Sequence, residues 1–135
     1  MFKTVLFPID QSREVRETAD IITYVVNTYG SRLILMSLLE KQGGRSSSRE
    51  IIISPEMITK LLENGKSLFF QRAIEAEVIE HRGKLAFTIC DVADEVNANL
   101  IVMGCRGLGL TEEDATDSIT NRVIHLSPSS VMIVP

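Results

Sequence analysis

The chain alternates between short apolar runs and longer segments in which apolar residues recur every three or four positions. Strands buried on both faces of a parallel sheet are apolar throughout, whereas amphipathic helices repeat with a period of about 3.6 residues. The apolar runs predict five strands, at residues 4–9, 32–39, 76–80, 100–103 and 131–134. The periodic segments between them predict four helices.

Residues that start or stop helices stand at the expected positions. Ser12 can cap the first helix, and Gly30 ends it where a left-handed residue is favoured. Ser54 and Pro55 supply a capping residue and a proline for the first turn of the second helix. Gly65 falls on the buried stripe of that helix at a cost of about 1 kcal/mol relative to alanine. We therefore expect Gly65 to allow close packing.

Strands that alternate with helices predict an α/β fold in a single domain, residues 1–135. Right-handed crossovers give a doubly wound open parallel sheet of five strands with helices on both faces. The short run at 76–80 alternates apolar and charged residues, which suits a strand near the edge of the sheet. Ligands in such sheets bind outside the carboxyl ends of the strands, where the strand order reverses.

Composition limits the expected partners. With 135 residues and 44% hydrophobic content, the chain can bury about two-thirds of its unfolded surface without metal or disulfides. Its net charge is −4 and it has no basic stripe, so we expect neither nucleic acid nor an anionic membrane as a partner. No apolar run approaches the roughly 20 residues that cross a bilayer, and we expect a cytoplasmic protein.

The most specific chemical signal follows the fourth predicted strand. Gly104, Gly107 and Gly109 fall within six residues, and the helical period resumes at Ser118. A flexible loop between a strand and a helix N-terminus lets backbone N–H groups and the helix dipole bind a phosphate. By composition alone, the same glycines also describe a plain turn.

The spacing of these residues resembles the nucleotide loop of the universal stress protein family, written G-2x-G-9x-G-(S/T). Gly104 and Gly107 match the first two glycines and Ser118 matches the hydroxyl residue, whereas Asp117 replaces the last glycine. The resemblance covers essentially the whole chain. It implies a Rossmann-like sheet of the adenine nucleotide alpha hydrolase type, with strand order 3-2-1-4-5.

The resemblance also implies a binding site for ATP, with magnesium, or for another adenine nucleotide. The run Pro8-x-Asp10-x-Ser12 matches the family, and it implies that Asp10 meets the ribose and adenine. The full set of implied nucleotide contacts is Ile9, Asp10, Leu38, Met103, Gly104, Gly107, Ser118 and Ile119. Apart from the resemblance, Asp10 is also explained as a residue that closes a strand–helix turn.

The segment before Ser118 departs from the family pattern. Four of residues 111–117 are acids, namely Glu112, Glu113, Asp114 and Asp117. One like-charge pair about 5 Å apart at an effective dielectric near 20 costs about 3 kcal/mol, or about a hundredfold in affinity. Aspartate is also a favoured N-cap, so we hypothesise that the Asp117 carboxylate takes the position of a phosphate and opposes nucleotide binding. Alternatively, the acids point into solvent, or magnesium bridges them to phosphate.

Two functions follow from the resemblance. In the first, the chain is a dimeric stress-response module with an impaired nucleotide pocket, and it acts through its surface. In the second, it is an ATP-linked switch that binds nucleotide and supports at most slow hydrolysis. The implied homodimer forms through residues 131–134, an apolar edge strand that needs a cover.

The remaining reactive side chains give no catalytic pattern. His81 and His125 lack a serine–carboxylate arrangement or a spaced ligand set, so we expect solvated or capping roles. Cys90 suits buried packing, and Cys105 is an ordinary loop thiol or a reactive one. A phosphotransfer or flavin-linked enzyme is the alternative from another class. The polar segment 41–49 is a solvated loop or a partner site.

Overall fold

The computed structural model describes residues 1–9, 15–39, 55–82, 85–104 and 119–134. Strands and helices alternate along these ranges, as the apolar pattern predicts. In chain order the elements are β1 (Thr4–Ile9), α1 (Val15–Tyr29), β2 (Arg32–Leu39), α2 (Pro55–Phe70), β3 (Ala76–Arg82), α3 (Leu85–Glu95), β4 (Leu100–Gly104), α4 (Ile119–Leu126) and β5 (Ser130–Val134). The predicted caps Ser12 and Ser54 lie outside the described residues.

The five strands form one parallel sheet in the order β3-β2-β1-β4-β5. This confirms the fold class and the strand order that the family resemblance implies. β1 is the central strand, β3 and β5 are the edges, and the order reverses between β1 and β4. β3 ends at Arg82 rather than at residue 80, because its pairing with β2 continues through Leu39↔Arg82.

Each face of the sheet carries its own hydrophobic core. Val5, Phe7 and Ile9 of β1 belong to the core that includes residues of α1 and α2. Leu6 of β1 belongs to the second core, with residues of α3 and α4 such as Val123. Successive side chains of a strand point to opposite faces, so an uncharged apolar run is needed to fill both cores.

Cys90 of α3 is part of the second core, as predicted. Burial raises the pKa of its thiol, and the nearby Asp91 carboxylate adds to the shift. The thiolate is therefore disfavoured there. Among the described helices, none is long and apolar enough to span a membrane.

Three helices are followed within three residues by a residue in the left-handed region. These residues are Gly30 (φ 62°), Ala73 (φ 61°) and Asn97 (φ 54°). In each case the next N–H donates to a carbonyl five residues back, which satisfies an otherwise unpaired group at the end of the helix. The three bonds are Ser31 N to Val26 O (3.1 Å), Ile74 N to Phe69 O (2.9 Å) and Ala98 N to Ala93 O (2.8 Å).

The central strand pairs unequally with its two neighbours. β1 pairs with β2 along its whole length, from Thr4↔Arg32 to Ile9↔Ser37. With β4 it pairs only at Val5↔Leu100 and Leu6↔Ile101. The two strands therefore pair near their amino ends and not at their carboxyl ends.

Pro8 gives a physical reason for this early end. Thr4 directs its backbone toward β4, since its carbonyl accepts from Asn99 N (2.8 Å) and its N–H donates to Asn99 Oδ1 (3.0 Å). The preceding residue, Lys3, instead accepts from Arg32 N at the start of β2 (2.7 Å). Backbone groups alternate in direction along a strand, so Pro8 faces β4 as Thr4 does, and proline has no N–H to donate.

We expect Ala73→Gly to raise the free energy of unfolding by about 0.5–1 kcal/mol. The substitution removes about 1–2 kcal/mol of strain that a left-handed alanine carries in the folded state. Against this gain, glycine raises the conformational entropy of the unfolded chain, which costs about 0.4–1 kcal/mol. Gly30→Ala is the matched variant, because its φ is equally positive. A Cβ there would meet nothing within 4 Å, so we expect the variant to be destabilised by backbone strain and not by a steric clash. Urea unfolding measures both. A stability of Ala73→Gly equal to or below that of the unmodified chain would contradict this account of the caps.

We expect Pro8→Ala to extend the pairing between β1 and β4. The new N–H at residue 8 faces β4 and gains an acceptor when the strands close. Amide hydrogen exchange should then show protection at residue 8, with Pro128→Ala as the control for a proline removed from a turn. Exchange as fast as that of a freely exposed amide would show that something other than the missing donor separates the strands.

Candidate functional site

Most of the predicted site residues that the structure describes lie at the carboxyl ends of strands. Ile9 ends β1, Met103 and Gly104 end β4, and Leu38 lies at the end of β2. Carboxyl ends of parallel strands share one edge of the sheet, so the fold brings these positions together. Ile119 begins α4, which follows β4 in the chain.

The other predicted site residues lie outside the described ranges. They are Asp10, Gly107, Asp117 and Ser118, together with the remaining acids Glu112, Glu113 and Asp114. Their roles stay predictions. Cys105 and the polar segment 41–49 also lie outside these ranges.

Ile9 and Met103 lie on opposite faces of the sheet. Ile9 is 5% exposed in the core with α1 and α2, and Met103 is 2% exposed in the core with α3 and α4. Buried apolar side chains of this kind hold the strand ends in place. What β1 and β4 offer a ligand at this edge is therefore their backbone, and Gly104, the last residue of β4, is partly exposed there.

The gap between β1 and β4 lies at the point where the strand order reverses. Pairing stops at Leu6↔Ile101, and by the alternation from Thr4 and Asn99 the next backbone groups that face this gap are those of Pro8 and Met103. Backbone groups at such a gap are available to a ligand. The order reversal and the missing pairs coincide at the same pair of strands, which makes this gap the strongest candidate site among the described residues.

The N-terminus of α4 carries the positive end of a helix dipole. The helix begins at Ile119, and the chain enters it after leaving β4 at Gly104. The first N–H groups of a helix have no partners within the helix, and the dipole places positive charge there. An anion such as a phosphate is the ligand that this arrangement favours.

Two residues near this edge were given no site role by the sequence. Ser37 of β2 pairs with Ile9 and is 2% exposed, and its hydroxyl has no hydrogen bond among the described residues. Gly65 of α2 lies directly against Ile9, where a Cβ would stand 2.9 Å from Ile9 Cδ1. In the sequence, Ser37 stands out as the single hydroxyl residue of an apolar strand, and Gly65 as a glycine among the buried positions of a helix. These two features could have pointed to both residues.

The two histidines of the chain both lie within the described residues. His81 Nε2 lies 3.8 Å from Glu95 Oε2, and both side chains are more than a third exposed. His125 is exposed at the end of α4. No group of three or more His, Cys, Asp or Glu residues within the described ranges is arranged to hold a metal ion.

The ion pair whose pKa values are shifted joins the amino ends of β2 and β3, away from the candidate site. Arg32 at the start of β2 donates two hydrogen bonds to Glu77 of β3, one of them from Nη2 to Oε1 at 2.7 Å. The hydrogen bonding lowers the pKa of Glu77 and raises that of Arg32. Both groups are half exposed, so the pair serves to place a charge on an edge strand and contributes little to stability.

Comparison with known proteins gives a consistent result. The model of the universal stress protein family matches residues 1–135. Universal stress protein Sll1654 of Synechocystis is 52% identical over 136 residues, covering 100% of this chain and 87% of that protein.

Solved structures share the fold. A universal stress protein in complex with cAMP superposes with a TM-score of 0.76 at 21% identity, over 98% of this chain and 96% of the other. The universal stress protein of Archaeoglobus fulgidus in complex with dAMP gives 0.71 at 22% identity, with 100% of both chains covered. By the family match along its full length and its identity to the Synechocystis protein, the chain belongs to the universal stress protein family.

Proposed function

We propose that this chain is a regulatory binding module of the stress response, and that the gap between β1 and β4 holds an adenine nucleotide with few phosphate charges. The observation that carries the proposal is the loss of pairing beyond Leu6↔Ile101, at the reversal of strand order. Two solved neighbours of the same fold are complexes with cAMP and with dAMP. Both ligands have a single phosphate group.

Separate elements would bind the two ends of the nucleotide. The backbone at Gly104 and the start of α4 favours the phosphate, since helix N-termini bind anions. Asp10 follows Ile9 directly and takes the ribose and adenine, as the family motif implies. The ligand thus bridges β1 and β4, whose carboxyl ends lack pairing with each other.

Charge in the loop before α4 would select against ATP. Glu112, Glu113, Asp114 and Asp117 precede the helix in sequence. Each close pair of like charges costs about 3 kcal/mol at 5 Å and an effective dielectric near 20. A triphosphate adds charge at the end of the nucleotide nearest this loop. The acids therefore weaken the binding of ATP more than the binding of a monophosphate. Asp117, which stands where the family motif has its last glycine, is the main obstacle.

The proposal assigns no catalytic step to the chain. The nucleotide acts as a signal, because a ligand that bridges two strand ends stabilises one arrangement of the loops after them. Partner binding by the protein surface then depends on whether the nucleotide is bound.

We further propose that the working unit is a homodimer through β5. This strand is a sheet edge, and its central residues Val131, Met132 and Ile133 are only partly buried. α4 contacts β5 and exposes Ile124 and Leu126. A second copy would cover an unpaired apolar edge.

Calorimetric titration tests the nucleotide proposal directly. We expect cAMP and AMP to bind, and ATP with magnesium to bind about a hundredfold more weakly, the penalty of one close like-charge pair. Asp117→Gly should recover ATP binding, whereas Glu113→Gln, in the same loop, should recover less. Tight ATP binding by the unmodified chain would show that the acids point away from the site. Absence of binding by every nucleotide, in the chain and in Asp117→Gly, would overturn the proposed function.

Light scattering tests the dimer. At micromolar concentration we expect a mass of about twice the 15.0 kDa of one chain. Met132→Lys should reduce it to that of a monomer, because a lysine at an edge strand opposes edge-to-edge pairing. Val78→Lys, on the opposite edge strand where Val78 is already exposed, is the matched control and should leave the mass unchanged. A monomer in the unmodified chain would exclude the β5 dimer.

A further inference from the structure

We draw no further inference here: the strongest candidate, the buried hydroxyl of Ser37 near the carboxyl end of β2, is 2% exposed on the face of the sheet that α2 covers, and nothing in the described residues shows what would hydrogen-bond to it.

Discussion

The absence of one backbone N–H in the central strand is the constraint on which the site depends. β1 must pair on both sides to hold a five-stranded sheet together, and it does so with β2 over its full length. Toward β4, the alternation that starts at Thr4 brings Pro8 to the position of the next donor, and pairing ends before it. Between β1 and β4 the sheet is thus paired near the amino ends of the strands and not at their carboxyl ends. The opening falls where the strand order reverses, which is where a doubly wound sheet binds ligands.

The open edge is stable because both faces of the sheet hold the strand ends. Ile9 packs against Gly65 of α2 within one core, and Met103 is buried in the other core with α3 and α4. Unpaired backbone at a strand end is costly when it is buried without partners, and a ligand or water supplies them. The apolar cores on the two faces fix the positions of the strand ends, and a ligand that binds backbone of fixed position loses less affinity to ordering.

The apolar periodicity of the sequence was sufficient to predict the strands and helices. It was not sufficient to predict the order of the strands in the sheet. Strands and helices differ in apolar period, so their bounds could be predicted closely. The strand order came from the family resemblance, since alternation of strand and helix is compatible with several orders. The left-handed cap at Gly30 was predictable because glycine signals it, whereas Ala73 and Asn97 adopt the same conformation without that signal. The partner of Gly65 is Ile9, which is 56 residues away in sequence, and only the tertiary packing shows that contact. The roles of Asp10, Asp117 and Ser118 still rest on the family motif.

A nucleotide site between β1 and β4 can be tested by a methyl NMR titration with cAMP, using chain labelled at isoleucine Cδ1 and methionine Cε. Ile9 and Met103 flank the gap from opposite faces, and Ile74 is a buried reference just before the amino end of β3. We expect the signals of Ile9 and Met103 to shift together in a saturable way while that of Ile74 does not. Saturable shifts at Ile74 or at Met132 of β5, with none at Ile9 and Met103, would contradict a nucleotide site between β1 and β4.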